Sequence, residues 1–112
     1  MNESDRREFA AAIRARLDEL RDEDARGRDG QAIVTLDQQA VGRLSRMDAL
    51  QNQAMAQAQA ARRAQEAARL SAALTRLADG SYGECEDCGE RIPPGRLRLD
   101  LAARRCVACA SG

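Results

Sequence analysis

The first eighty residues of the chain place apolar side chains at helical spacing, with polar residues on the remaining faces. The first apolar stripe has intervals of four, four and three residues and consists of Phe9, Ile13, Leu17 and Leu20. Such intervals keep side chains on one face of an α-helix. The segment Gly27-Arg28-Asp29-Gly30 then reads as a turn, because closely spaced glycines interrupt a helical pattern. We predict a first helix over about 5–24, capped by Ser4, and a connecting tip over about 25–35.

A second and longer helix is predicted over about 36–79. Thr35 and Gln38 have the spacing of a capping box, in which side chains satisfy the backbone N–H groups at a helix start. Beyond them only Gly42 disfavours helix before Gly80, which suits a left-handed C-terminal cap. The apolar stripe of this segment consists of Val41, Leu44, Met47, Ala54, Ala58, Ala61, Ala68, Leu70, Leu74 and Leu77. At about 1.5 Å per residue the helix is about 65 Å long.

Together these helices predict a mostly α fold, an antiparallel helical hairpin (coiled coil) over residues 1–79. A long helix with little apolar surface needs a partner, because helices in proteins are stabilised mainly by packing. The first helix is about half as long as the second, so the far end of the second helix stays uncovered. That end carries Leu70, Leu74 and Leu77. We expect these leucines to pack on the C-terminal residues or on a second copy of the chain, as a homodimer.

Four cysteines mark a separate C-terminal module over residues 80–112. Cys85 and Cys88 form one Cys-x-x-Cys pair, and Cys106 and Cys109 form the other, with seventeen residues between the pairs. This spacing is typical of a structural zinc site with four thiolates in a closed tetrahedron. A redox pair and an iron–sulfur cluster are the alternatives. A redox motif needs only one pair and usually a strand–helix context, so we predict one structural zinc ion.

Composition narrows the functional class further. The chain has eighteen basic and eighteen acidic residues, a formal net charge of zero and no histidine. Without histidine, and with a saturated metal, no nucleophile–base arrangement is visible, so we do not expect an enzyme. Direct DNA binding is not expected either, since five acids balance five arginines over residues 81–112. No membrane span or secretory signal is visible, which predicts a cytoplasmic protein.

The C-terminal module resembles the zinc fingers of the DksA/TraR family of bacterial transcription factors. The resemblance rests on the Tyr-Gly-x-Cys-x-x-Cys-Gly start at residues 82–89, on Ile92, and on Arg96-Leu97 before the second cysteine pair. The preceding long helix matches the coiled coil of the family in kind. The resemblance implies direct binding to RNA polymerase, with the coiled-coil tip inserted in the secondary channel of the enzyme.

In that family, acidic residues at the tip in the pattern Asp-x-x-Asp-x-Ala carry the effect on initiation complexes. This chain has no such pattern. The resemblance therefore implies two candidate positions for the polymerase-active tip, Asp37 with Ala40 and Asp48 with Ala49. The alternative function is a zinc-stabilised helical adaptor or homodimeric interaction protein. A DNA-binding zinc finger is the remaining alternative.

Overall fold

The structure is a computed structural model that describes the backbone of residues 1–37 and 43–111. The side chains are described for residues 1–27 and 46–111. Four helices follow in chain order, α1 (Glu3–Asp37), α2 (Arg43–Asp79), α3 (Pro94–Leu99) and α4 (Val107–Ser111). Within the described residues the only pairing of strand type is one antiparallel bridge between Glu84 and Arg91. The predicted mostly α fold, a helical hairpin followed by a four-cysteine module, is confirmed.

Helix α1 is much longer than the sequence pattern predicted. It runs from Glu3 to Asp37, so the predicted end near residue 24 and the predicted tip over 25–35 are wrong. Thr35 lies inside α1 and is not the cap of α2, which begins at Arg43 instead of residue 36. Residues 38–42 join the two helices and lie outside the described residues. The expectation that the first helix is half as long as the second is also wrong, since α1 has 35 residues and α2 has 37.

The start of α1 shows a capping box whose cap lies two residues before the predicted cap, Ser4. The backbone N–H of Asp5 donates to Oδ1 of Asn2 at 2.8 Å, and the backbone N–H of Asn2 donates to Oδ2 of Asp5 at 3.4 Å. These reciprocal bonds satisfy N–H groups that have no partner inside the helix. Asn2, rather than Ser4, therefore caps α1.

The chain divides into two compact units, which we call the finger unit and the helical unit. The finger unit comprises Met1–Leu17 and Ala68–Gly112. Its buried apolar side chains are Phe9, Ile13, Leu70, Ala73, Tyr82, Cys85, Ile92, Leu97, Ala102 and Ala103. The rings of Phe9 and Tyr82 lie 5.6 Å apart between centroids, and the Tyr82 hydroxyl donates to the carbonyl of Leu101 at 2.8 Å. A single chain therefore buries Leu70, while Leu74 and Leu77 are half-buried.

The helical unit, Asp18–Ala67, is held by small residues. Six of its seven half-buried positions on α2, all except Glu66, alternate at intervals of four and three, which is the heptad seam of a coiled coil. This seam consists of Ala49, Gln53, Ala56, Ala60, Arg63 and Ala67. From α1, Leu20 is buried and Asp24 accepts a hydrogen bond from Nε of Arg63 at 2.6 Å. A buried leucine and an ion pair between the two helices thus accompany an alanine seam.

The Asp24–Arg63 pair also accounts for the helical course of α1 through Gly27. A Cβ atom at Gly27 would lie 2.9 Å from Nη2 of Arg63, so the arginine side chain crosses α1 where no side chain projects. A helical glycine costs about 1 kcal/mol relative to alanine. Pairing with α2 offsets that cost, and the glycine signal for a turn is overridden. Over the described residues, neither long helix is apolar enough to cross a bilayer.

The helical placement of Gly27 leads to a stability test. We expect Gly27→Ala to stabilise the chain by up to about 1 kcal/mol, because alanine favours helix and the flexible end of Arg63 can shift aside. Gly80→Ala is the matched control. Gly80 has φ +88° with open space around it, so alanine there costs about 1–2 kcal/mol in backbone strain. Urea unfolding followed by circular dichroism measures both changes. A Gly27→Ala variant that is less stable than the wild type would contradict the helical placement of Gly27 and favour the predicted turn.

Tyr82 provides a test of the finger-unit core that depends on pH. Burial raises the pKa of Tyr82 to about 12. Because this folded-state pKa lies above the ordinary value near 10, the neutral phenol contributes stability that is fully present below pH 10. That contribution is lost as the pH rises toward 12. The chain has one tyrosine and no tryptophan, so phenolate absorbance reports this group alone.

We expect the native phenolate titration near pH 12, and the titration in guanidinium near pH 10. Native and unfolded curves that coincide would contradict the burial of this ring.

Candidate metal centre

Two tight turns bring the first cysteine pair into position. The backbone N–H of Cys85 donates to the carbonyl of Glu90 at 2.8 Å, and the N–H of Gly89 donates to the carbonyl of Cys85 at 2.9 Å. Gly89 has φ +74°, a left-handed conformation that glycine adopts without strain. The glycine after the second cysteine therefore allows the chain to fold back, so that the sulfurs of Cys85 and Cys88 face the same point.

The second pair lies at the start of α4. The backbone N–H of Ala110 donates to the carbonyl of Cys106 at 2.9 Å, which begins the helix. Cys106 lies just before α4 and Cys109 lies within it. A separation of three residues puts their side chains on one face of the turn.

The four sulfurs form one compact cluster. All four Sγ atoms lie within 4.8 Å of one another, and those of Cys88 and Cys106 are 3.8 Å apart. A tetrahedral zinc site with Zn–S bonds of about 2.3 Å requires sulfur separations of about 3.8 Å. The four cysteines are free, and a sulfur separation of 3.8 Å is far beyond a disulfide bond of about 2.05 Å. The donor set and spacing fit a closed four-thiolate zinc site.

Electrostatics within the cluster also favour a cation. Hydrogen bonds from the backbone N–H groups of Cys106 and Cys88 lower the pKa of Cys85 to about 6. Hydrogen bonds with the thiols of Cys106 and Cys85 instead raise the pKa of Cys109, because they stabilise its protonated form. One thiolate is therefore favoured by the fold alone, whereas four require a bound divalent ion.

An arginine between the cysteine pairs adds a feature that the sequence analysis missed. The Arg105 Nε lies 3.4 Å from Oε1 of Glu86 and 3.3 Å from Oδ2 of Asp87. Its carbonyl accepts a hydrogen bond from Nε of Arg96 at 3.0 Å. These contacts join the two cysteine turns. The sequence signal for these contacts was the acidic pair Glu86-Asp87 in the first cysteine turn together with the basic pair Arg104-Arg105 just before the second.

The candidate tip residues belong to the helical unit, Asp18–Ala67. Asp37 is the last residue of α1, with its side chain outside the described region, and Ala40 lies outside the described residues altogether. Asp48 is exposed in the second turn of α2, and Ala49 is half-buried in the seam. No cluster of metal-ligating groups other than the four cysteines appears among the described residues.

The metal centre gives a direct chemical test. We expect reduced protein to contain one zinc ion per chain, and Cys85→Ser to lose it together with the native titration of Tyr82. Ala108→Ser is the matched control, because it places a hydroxyl in the second cysteine turn at an exposed position without removing a ligand. Atomic emission measures the metal. Full zinc content in Cys85→Ser would show that four thiolates are not needed.

Known proteins share both parts of this arrangement. Residues 80–112 match the family model described as the prokaryotic dksA/traR C4-type zinc finger. A 38-residue stretch is 47% identical to an uncharacterized protein of Aquifex aeolicus (strain VF5). This stretch covers 34% of this chain and spans only 26% of the length of that relative. The structure of transcription factor DksA2 from Pseudomonas aeruginosa is similar with a TM-score of 0.81 and 22% identity, over 99% of this chain and 84% of that one.

The resemblance to the DksA/TraR family is thus confirmed, and with it the structural zinc ion. Residues 80–112 thus match the prokaryotic dksA/traR C4-type zinc finger, and the chain has a fold similar to that of the DksA2 structure.

Proposed function

We propose that this chain is a transcription regulator that binds bacterial RNA polymerase directly and inserts its coiled-coil tip in the secondary channel. The observation that carries the proposal is the combination of the dksA/traR zinc finger with a DksA2-like fold over 99% of the chain. The proposal includes a cytoplasmic location, where polymerase is found. It assigns no catalytic activity to the chain.

The similar length of the helices supports this proposal. With 35 and 37 residues, α1 and α2 are each about 50 Å long at about 1.5 Å per residue. With the shorter first helix predicted from the sequence, half of α2 would have lacked a partner. A paired stem is better suited to enter a channel than a single exposed helix.

The two candidate acids lie on either side of the connecting residues. Asp37 is the last residue of α1. Asp48 is exposed and lies five residues after the start of α2. A carboxylate beside a magnesium site can perturb its coordination because water is limited there.

The finger supports a protein partner more than duplex DNA. Over residues 81–112 acidic and basic side chains are equal in number. Arg105 is already paired with Glu86 and Asp87. Phosphate binding depends on several cations without such partners.

The acids can be tested by substitution that removes charge and keeps size. We expect Asp37→Asn and Asp48→Asn to fold and to bind core RNA polymerase within about twofold of the wild type. One of them should lose most of the transcriptional effect, since helix-end electrostatics change stability by only about 0.3–1 kcal/mol. Interferometry on immobilised polymerase measures binding, and run-off synthesis from a responsive promoter measures the effect.

Asp22→Asn is the matched control, an exposed acid of α1 whose removal changes the net charge equally. If both tip variants remain as active as Asp22→Asn, the acidic-tip mechanism does not apply to this chain. If the wild type fails to bind polymerase at all, the proposed function is wrong.

A further inference from the structure

Arg105, the residue before Cys106, joins the two turns that carry the zinc ligands. Its Nε lies 3.4 Å from Oε1 of Glu86 and 3.3 Å from Oδ2 of Asp87. Both acids lie between the two cysteines of the first turn, and we call this pair of contacts the arginine clasp. The clasp connects the first pair of ligands to a residue adjacent to the second pair, so it links the two pairs without using a ligand sulfur.

The residues of the clasp are direct neighbours of two sulfurs from different pairs. Asp87 precedes Cys88 and Arg105 precedes Cys106, and these two sulfurs are 3.8 Å apart. Because Cys88 is exposed, apolar packing contributes little to holding its sulfur in place. A four-thiolate site binds zinc tightly only while all four sulfurs stay within reach of the ion. Contacts that hold the two turns together therefore oppose loss of the ion.

Two further hydrogen bonds fix the backbone around Arg105. The Nε of Arg96, in α3, donates to the carbonyl of Arg105 at 3.0 Å, and the backbone N–H of Glu86 donates to the carbonyl of Arg104 at 2.9 Å. The three side chains of the clasp are each about half-exposed, and exposed ion pairs are individually weak. A fixed backbone and one guanidinium shared by two carboxylates reduce the conformational entropy that such pairs usually lose.

Overall charge predicts the opposite effect of the two acids. Zinc binding to four cysteines releases protons and leaves the loaded centre with a net negative charge. The loaded centre is therefore more negative than the metal-free one, and the carboxylates of Glu86 and Asp87 repel it. On charge alone, neutralising these acids would raise the affinity for zinc. If the clasp dominates, the same change lowers the affinity.

We propose that Arg105 is a positioning residue of the zinc centre, and that its clasp on Glu86 and Asp87 raises the affinity of the chain for zinc. The clasp acts by keeping the two cysteine turns at the separation that the ion requires. Neighbouring groups that orient metal ligands change metal affinity by about 10–100-fold. This clasp has a smaller effect because its charges are partly solvated. The proposal concerns metal retention and does not depend on the proposed function in transcription.

Substitutions in the full chain test the clasp. Arg105→Gln removes the clasp and one positive charge. Arg104→Gln is the matched control, because it removes the same charge from an exposed neighbour and leaves the clasp and the backbone carbonyls in place. Glu86→Gln with Asp87→Asn, the acid-pair variant, removes the clasp from the other side. Competition with a chelator of known zinc affinity measures the dissociation constant of each variant, after circular dichroism and the native titration of Tyr82 confirm the fold.

We expect Arg105→Gln to bind zinc about five- to tenfold more weakly than the wild type, and Arg104→Gln to bind it within about twofold. The acid-pair variant should also bind zinc more weakly than the wild type. Adding Arg105→Gln to the acid-pair variant should then cost no more than Arg104→Gln does, because the partners of the arginine are already gone.

An acid-pair variant that binds zinc as tightly as the wild type, or more tightly, would overturn the proposal. So would an Arg105→Gln variant with the same affinity as Arg104→Gln, since overall charge would then account for the effect. If Arg105→Gln does not fold, the acid-pair variant decides alone, because the clasp and overall charge predict opposite changes in its affinity.

Discussion

Convergence of four thiolates on one zinc ion is the constraint on which the C-terminal part of the molecule depends. The segment from Tyr82 to Ser111 has two helices of six and five residues and one bridge. Such short elements do not fold on their own, because too little apolar surface is buried to offset the conformational entropy. The ion joins the turn after Glu84 to the start of α4. That closure holds Tyr82, Ile92 and Leu97 in the core of the finger unit.

The same core ties the finger to the helix ends. Phe9 of α1 lies against the Tyr82 ring, and the Arg98 guanidinium lies 6.0 Å from the Phe9 ring centroid and 3.4 Å from Glu8. Arg69 of α2 reaches Asp100 at 3.4 Å. Exposed ion pairs of this kind are worth about 0–1 kcal/mol each, so the buried rings and aliphatic side chains dominate. Metal ligation therefore stabilises packing that also holds the first part of α1 and the last part of α2.

The sequence predicted those features that local chemistry determines. Two Cys-x-x-Cys pairs followed by a suitable glycine specify the metal centre within a few residues, and the four sulfurs lie together as the spacing required. The presence of helices also follows from local sequence, because alanine and long polar side chains favour helix. The position at which α1 ends depends instead on contacts with residues distant in sequence. Gly27 and Gly30 indicated a turn, yet the pairing of Asp24 with Arg63, 39 residues later, keeps the chain helical. An alanine seam has almost no hydrophobic contrast, so the sequence did not reveal how far the helices pair.

Two faces of α2 share one composition but have different surroundings. Its seam alanines are half-buried, whereas Ala54, Ala58 and Ala61 on the other side of the helix are exposed. The measurement that tests this account most directly is photocrosslinking from Asn52→p-benzoylphenylalanine in the zinc-loaded chain bound to core RNA polymerase. The account predicts crosslinks to the walls of the secondary channel. Crosslinks confined to the outer surface of polymerase, in a complex that forms normally, would contradict it.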